Sequence, residues 1–345
     1  MFLHIVGARP QFMKLAPLYK EMVKNNLDCE ILHTGQHFDA NMSDIFFEEL
    51  GIPKPDYNLN INSLSNTTMT SLMMKGIEDV LTKKDFHSVI VYGDTNTTLA
   101  GALVGRQLNL KVIHIESGLR NYDKTMPEEI NRILTDRISD VLFCVSDSCV
   151  DNLKSEGIWY DSVIHNSGDL MYDSVLNFKS KSSEMTNSYD DYVLVTVHRA
   201  SNTDDKEVLG KIVDSLNRIN KDIKVVFPIH PRTRNKIKDM DIEFDLIEPV
   251  GYIEMLNLIG NSKFVITDSG GVVRESYWLE KPSLLLLDKP LWPELIDSGV
   301  CLNTDENNIL DNYEVIKNIN FSFPKGIYGD GNSAEKITKW LCDGV

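Results

Sequence analysis

Residues 91–136 read VYGDTNTTLAGALVGRQLNLKVIHIESGLRNYDKTMPEEINRILTD. An apolar run ends in Gly93-Asp94-Thr95, a helix-like segment follows, and a second apolar run, Val112-Ile113-His114-Ile115, stops at Glu116-Ser117-Gly118. A loop then leads to Pro127-Glu128-Glu129 at the start of another helix. Strands that are apolar along their whole length, alternating with helices, predict a parallel sheet covered on both faces. Asp94, Glu116 and Glu128 fall at strand carboxyl ends or at a helix amino end. That is the edge where open α/β sheets bind ligands, so the stretch reads as one wall of a carboxylate-rich active site.

The same alternation extends in both directions. The strand Met1–Val6 feeds Gly7-Ala8-Arg9-Pro10 and a helix over 12–23 with Lys14 in its first turn, the general form of an anion site at a helix amino end. Arg9 and Lys14 are its candidate cations. Strand 29–33 follows, then a helix over 41–50 closed by Gly51, a polar loop over 58–68, a helix over 70–81 and strand 88–92. Helix 128–138 leads to strand 141–145, and Asp147 and Ser148 are candidate caps for a helix that Gly157 ends. The polar, Ser-rich run 179–189 is the best candidate linker between domains.

The pattern restarts at strand 192–197, which ends on His198. Strand 225–229 ends on His230, and a histidine placed directly after a strand favours function over an ordinary surface position. Strand 264–267 ends in Asp268-Ser269-Gly270-Gly271, where two glycines let backbone N–H groups approach an oxyanion, and Glu275 follows one helical turn later as a candidate ribose ligand. The fold class expected is therefore α/β, with two Rossmann-like doubly wound parallel-sheet domains over 1–175 and 190–328, a ligand cleft between them, and a final helix over 333–345 returning to the first domain.

The chain has 345 residues, too many for one average core, and a net charge of −16 that argues against binding a nucleic-acid duplex. No apolar run approaches the ~18 residues of a membrane span, and the start lacks the basic region and cleavage site of a signal peptide, so a cytoplasmic protein is expected. The five cysteines are scattered without a CxxC pair, which reads as small buried hydrophobes and gives zinc no site.

GARPQFMK (7–14), HTGQHFDANMSDIFFEELGIPKPDYNLNI (33–61), YGDTNTTLAGAL (92–103), HIESGLRNYDKTMPEEINRILTD (114–136), GDLMYD (168–173), TVHRASNTDD (196–205), FPIHPRTR (227–234), PVGYIEML (249–256), TDSGGVVRES (267–276) and YGDGNSAEKI (328–337) occur in that order. Together they closely resemble the non-hydrolysing UDP-N-acetylglucosamine 2-epimerase family, and the variant motifs look most like a subgroup containing UDP-2,3-diacetamido-glucuronate 2-epimerases. The resemblance implies a GT-B-like fold and inversion at C2 of a UDP-linked 2-acetamido sugar, by UDP elimination and re-addition, feeding surface polysaccharide synthesis. It implies Asp94, Glu116 and Glu128 as catalytic carboxylates and His198 as a catalytic or diphosphate-contacting residue. It implies Arg9, Lys14, Ser269, Gly270 and Gly271 as diphosphate binders, Glu275 as the ribose ligand, and the turn from Val250 to Met255 as the uracil site. His230 remains a candidate substrate contact. No metal, nicotinamide or other cofactor is implied, and a homodimer is.

Three departures accompany the resemblance. Residues 287–294 read LDKPLWPE, without the usual arginine and Thr-Glu pair; residues 62–68 lack the usual Gly-rich, glutamine-containing loop; and Ser201 stands where glutamate is common. The first two fall where contacts to the sugar and to a second, allosteric UDP-sugar are expected. A hydrolysing epimerase, a GT-B glycosyltransferase and a non-catalytic UDP-sugar-binding protein stay open as rivals.

Overall fold

The computed structural model describes residues 1–36, 47–229 and 231–344, and of residues 231 and 232 the backbone alone. The chain forms two compact units, Met1–Ser174 with Gly326–Val345, and Val175–Lys325.

In the first unit, strands β1 (Phe2–Val6), β2 (Cys29–His33), β3 (Tyr57–Asn58), β4 (Ser88–Tyr92), β5 (Lys111–Ser117), β6 (Val141–Cys144) and β7 (Val163–Asn166) form one sheet in the order β3-β2-β1-β4-β5-β6-β7. Every pairing is parallel. Leu3, Ile5, Val89 and Val91 pack with Met73 and Ile77 of helix Asn66–Leu81 in one core, which is why the central strands are apolar without alternation. The chain runs outward from β1 to β2 on one side and resumes at β4 on the other, so β1 and β4 bracket a topological switch point.

The second unit repeats the plan. Strands β8 (Tyr192–Thr196), β9 (Lys224–Pro228), β10 (Asp245–Ile247), β11 (Phe264–Thr267), β12 (Ser283–Leu286) and β13 (Cys301–Thr304) form a sheet in the order β10-β9-β8-β11-β12-β13, again parallel. Alternate residues of β8 enter opposite cores, Val193 and Val195 on one face and Tyr192 and Leu194 on the other. The switch point lies between β8 and β11.

Several local expectations change. Helix Asn66–Leu81 starts four residues before the expected Thr70, because Ser65 caps it by accepting from the Thr68 N–H. In the helix after β6 the N-cap position falls on Ser146, rather than on Asp147 or Ser148, and the Asp147 carboxylate accepts from the Asn166 amide at 2.7 Å. The run 179–189 is not a free linker. Its first five residues complete helix Leu170–Ser183, and the Asn257 amide donates to the carbonyls of Ser182 and Met185 at 2.6 and 3.3 Å. Its polarity is that of a helix face in water. The first six residues of the helix expected over 41–50 lie outside the described residues. The final helix, Ser333–Gly344, belongs to the first unit, where the Asp173 carboxylate accepts from the N–H groups of Ser333 and Ala334 at 3.2 and 2.8 Å. Among the described residues no helix is long and apolar enough to cross a membrane.

Candidate active site

At the switch point of the first unit, the loops after β1 and β4 are tied together by one buried side chain. The Gln11 carbonyl oxygen accepts from the N–H groups of Gly7 and Ala8 at 2.7 and 2.9 Å. Its amide donates to the Tyr92 carbonyl at 2.8 Å and to the hydroxyls of Thr95 and Thr98 at 3.0 and 3.1 Å. Only a carboxamide offers both polarities here. The sequence contained Gln11 in its GARPQ motif, but the three partners of its amide lie 81 to 87 positions away, so the tie between the two loops was not legible.

Glu116 occupies a bulge: Ile115 and Ser117 pair with Phe143 and Cys144, which leaves Glu116 without an opposite residue. It has φ of +66°, a left-handed conformation that costs a non-glycine residue on the order of 1–3 kcal/mol. Bulges re-aim side chains, and this one brings the Glu116 carboxylate onto the Lys14 ammonium in an ion pair buried on both sides. Gly93, with φ of +63°, passes alongside; a Cβ there would lie 3.3 Å from Lys14 Nζ and 4.0 Å from Glu116 Oε1. Lys14, from the helix after β1, and Glu116, from the end of β5, therefore meet at the end of β4.

A second network fixes these loops from below. His114 is fully buried, and its ring nitrogens face two acceptors, Asp136 Oδ1 and the Gly93 carbonyl, each at 2.7 Å. Asp136 Oδ2 accepts from the Gly118 N–H at 3.1 Å and from Arg120 at 2.7 Å. Burial alone would raise the Asp136 pKa, but hydrogen bonds and charge from His114 and Arg120 prevail and hold it below the usual carboxylate range. Arg120 also grips Glu156 through two 2.8 Å bonds, so that its pKa is raised despite burial.

Asp94 is partly exposed and accepts from Arg132 Nε at 3.1 Å, while its backbone carbonyl accepts from the Asn131 amide at 2.9 Å. Arg132 pairs in turn with Glu129. Glu129 is fully buried and accepts from the N–H groups of Asn121 and Tyr122 at 3.2 and 2.9 Å, closing the loop that precedes its helix. Glu128, next to it on Pro127–Ile138, is exposed. Adjacent glutamates thus divide: one faces inward as a strut and the other faces water. Arg9 is half-buried in the first turn of helix Arg9–Lys24.

In the second unit, the loops after β8 and β11 meet through Asp268, which is fully buried. Its Oδ2 accepts from the N–H groups of His198 and Arg199 at 2.9 and 2.8 Å and from the Asn202 amide at 3.1 Å. His198 Nδ1 lies 3.2 Å from Oδ1, with about half of the His198 side chain exposed. Ser269 caps helix Gly270–Trp278 through the Val272 N–H, leaving Ser269, Gly270 and Gly271 half-buried at its amino end. A Cβ on Gly270 would sit 2.8 Å from Trp292 Nε1, so the turn is pressed against the unusual 287–294 segment. Trp292 also stacks on the Arg274 guanidinium at 3.8 Å. Glu275 is buried, and Val250 and Met255 pack partly against the core under β8. His230 lies outside the described residues.

A family model described as UDP-N-acetylglucosamine 2-epimerase matches residues 20–342. The chain belongs to the UDP-N-acetylglucosamine 2-epimerase family. It is 44% identical to the Pseudomonas aeruginosa UDP-2,3-diacetamido-2,3-dideoxy-D-glucuronate 2-epimerase, over 98% of each chain. It is 46% identical to a Methanococcus maripaludis UDP-N-acetylglucosamine 2-epimerase homolog, also over 98% of each. The crystal structure of Methanocaldococcus jannaschii UDP-GlcNAc 2-epimerase in complex with UDP-GlcNAc and UDP matches with a TM-score of 0.94 at 39% identity, covering 100% of both chains. The GT-B-like class expected from the motifs is thus the class of this epimerase. Gln11, Arg132, Asp136 and Asp268 tie the loops that carry the candidate site residues, and sequence reasoning did not single them out. Each acts through a distant partner, whereas the residues that were singled out carried a local signal, a place at a strand end or a helix amino end.

Proposed function

We propose that this epimerase inverts C2 of a UDP-linked 2-acetamido sugar without hydrolysis, converting UDP-GlcNAc to UDP-ManNAc. A C2–H bond in the intact sugar is hardly acidic, so the C1–O bond to UDP breaks first. As positive charge grows at C1, a carboxylate takes the C2 proton and a C1–C2 double bond forms. A proton then returns to the opposite face of C2 while UDP re-adds at C1, so no atom is gained or lost. Asp94, Glu116 and Glu128 supply the acid–base groups, which typically contribute ~10²–10⁴ in rate. Lys14, Arg9 and the Ser269–Gly271 turn, with His198, take the charge of the departing diphosphate, while Glu275 and the Val250–Met255 turn hold the nucleoside.

The observation that carries this reading is the buried Lys14–Glu116 pair, a diphosphate-type cation in contact with a carboxylate at a ligand-binding sheet edge. The second reading, UDP-2,3-diacetamido-glucuronate as substrate, is favoured by the Pseudomonas aeruginosa relative. Incubation with each sugar in D2O tests both. Deuterium is expected at C2, together with the epimeric UDP-sugar and no free sugar. Incorporation in neither substrate overturns the proposed reaction, free N-acetylmannosamine favours a hydrolysing enzyme, and transfer to an acceptor a glycosyltransferase. The resemblance further supports a cytoplasmic homodimer, which light scattering at working concentration tests.

A further inference from the structure

Asp268 stands at the second unit's switch point with its two carboxylate oxygens used unequally. Oδ2 takes three donors, the N–H groups of His198 and Arg199 and the Asn202 amide. Oδ1 is buried and completes no hydrogen bond among the described residues, although His198 Nδ1 stands 3.2 Å away. The residue itself is anchored from both sides: its N–H donates to the Thr196 carbonyl at 3.2 Å, and its carbonyl accepts from Arg199 Nε at 2.8 Å. A buried carboxylate oxygen without a donor is costly, and a small rotation of the imidazole satisfies it. The tautomer of a histidine is set by the bond its other nitrogen makes.

We propose that Asp268 is a positioning residue for His198. It draws the Nδ1–H onto Oδ1 and so turns Nε2 outward toward the diphosphate oxygens held at the Ser269–Gly271 turn. The proposal rests on the role given to His198 above. A buried carboxylate joins both halves of the diphosphate cradle, because the same residue that orients the histidine precedes the Ser269 helix cap in the chain. In Asp268→Asn the amide oxygen can keep the three donors of Oδ2. Its NH2 then faces His198 Nδ1 as a donor, and the preferred tautomer inverts.

The test is nitrogen NMR of the full chain labelled at histidine, combined with steady-state kinetics on UDP-GlcNAc. In the unaltered protein the neutral His198 ring carries its proton on Nδ1; a proton on Nε2 overturns the proposal without any variant. In Asp268→Asn the proton moves to Nε2 and kcat falls by about 10²-fold, while KM changes by less than about 3-fold. The double variant His198→Ala/Asp268→Asn loses no more activity than His198→Ala alone, because one residue acts through the other. Multiplicative losses overturn the proposal in favour of a purely structural carboxylate. If His198→Ala turns over normally, the reading of His198 fails and the proposal with it. If His198→Ala is impaired while Asp268→Asn alters neither tautomer nor kcat, the proposal alone fails.

Discussion

Lys14 and Glu116 form an ion pair with 4% and 7% of their side chains exposed, although 101 positions separate them in the chain. Each was read from sequence as serving a different part of the substrate, the lysine the diphosphate and the glutamate the sugar. Without ligand they neutralise one another in low dielectric. On the proposed roles of the two residues, a diphosphate drawn to Lys14 would compete with Glu116 for the ammonium and so couple leaving-group binding to acid–base chemistry at one contact.

Breaking that pair from one side leaves a buried charge without this counter-ion, at a cost of about 3–5 kcal/mol. Lys14→Met is therefore expected to lower both thermal stability and kcat/KM. Lys14→Met/Glu116→Gln should recover much of the stability and none of the activity. Equal melting temperatures for the single and double variants would show that the pair contributes no coupling.

Gly93 is the close neighbour of this pair, at φ +63°. Gly93→Ala adds a backbone cost of roughly 1–2 kcal/mol and a methyl group 3.3 Å from Lys14 Nζ. A fall in melting temperature with a loss of activity of about 10-fold is expected, the equivalent of about 1.4 kcal/mol in transition-state binding. Full activity in a destabilised protein would separate the pair from the chemistry.

Glu128 and Glu129 are predicted to fail in different assays. Glu129 is fully buried and holds Arg132 and two backbone N–H groups, so Glu129→Gln should unfold earlier in urea, with the loss of a buried pair worth several kcal/mol, about 3–5. Glu128 is exposed, so Glu128→Gln should leave stability within about 0.5 kcal/mol and abolish deuterium incorporation at C2. An active Glu128→Gln enzyme would remove that residue from the mechanism.

Asp173 gives the fold a pH dependence. Burial raises its pKa from 3.8 to about 6, against hydrogen bonds from the Ala334 and Ser333 N–H groups at the start of the final helix. The folded state therefore holds a proton that the unfolded chain has lost. Its contribution is fully present below about pH 4 and disappears as pH rises through about 6, amounting to about 3 kcal/mol. Asp173→Asn should flatten the melting temperature between these limits. An unchanged pH profile would refute the assignment.

How much was legible divides by range. Residues 91–136 announced strand, helix, strand and helix by apolar runs and turn residues, and Asp94, Glu116 and Glu128 by their places at element ends. These are local signals. The start of helix Asn66–Leu81 was missed because a serine cap inside a polar stretch resembles loop, and β13 because Cys301–Thr304 is a short edge strand with a partly exposed pattern. The run 179–189 misled because an exposed helix face and a linker share the same composition.

Sequence by itself determined the family, the parallel α/β architecture and the residue types of the site, since period, turn chemistry and motif order are properties of neighbouring positions. Tertiary structure alone decided which of those residues meet. Sheet order brings β1, β4 and β5 side by side, a bulge turns Glu116 onto Lys14, and the inward and outward faces of one helix separate Glu129 from Glu128. The four residues that hold the loops, Gln11, Arg132, Asp136 and Asp268, have no signature of their own. Their roles arise when folding buries a polar group and obliges it to find a partner from a distant part of the chain.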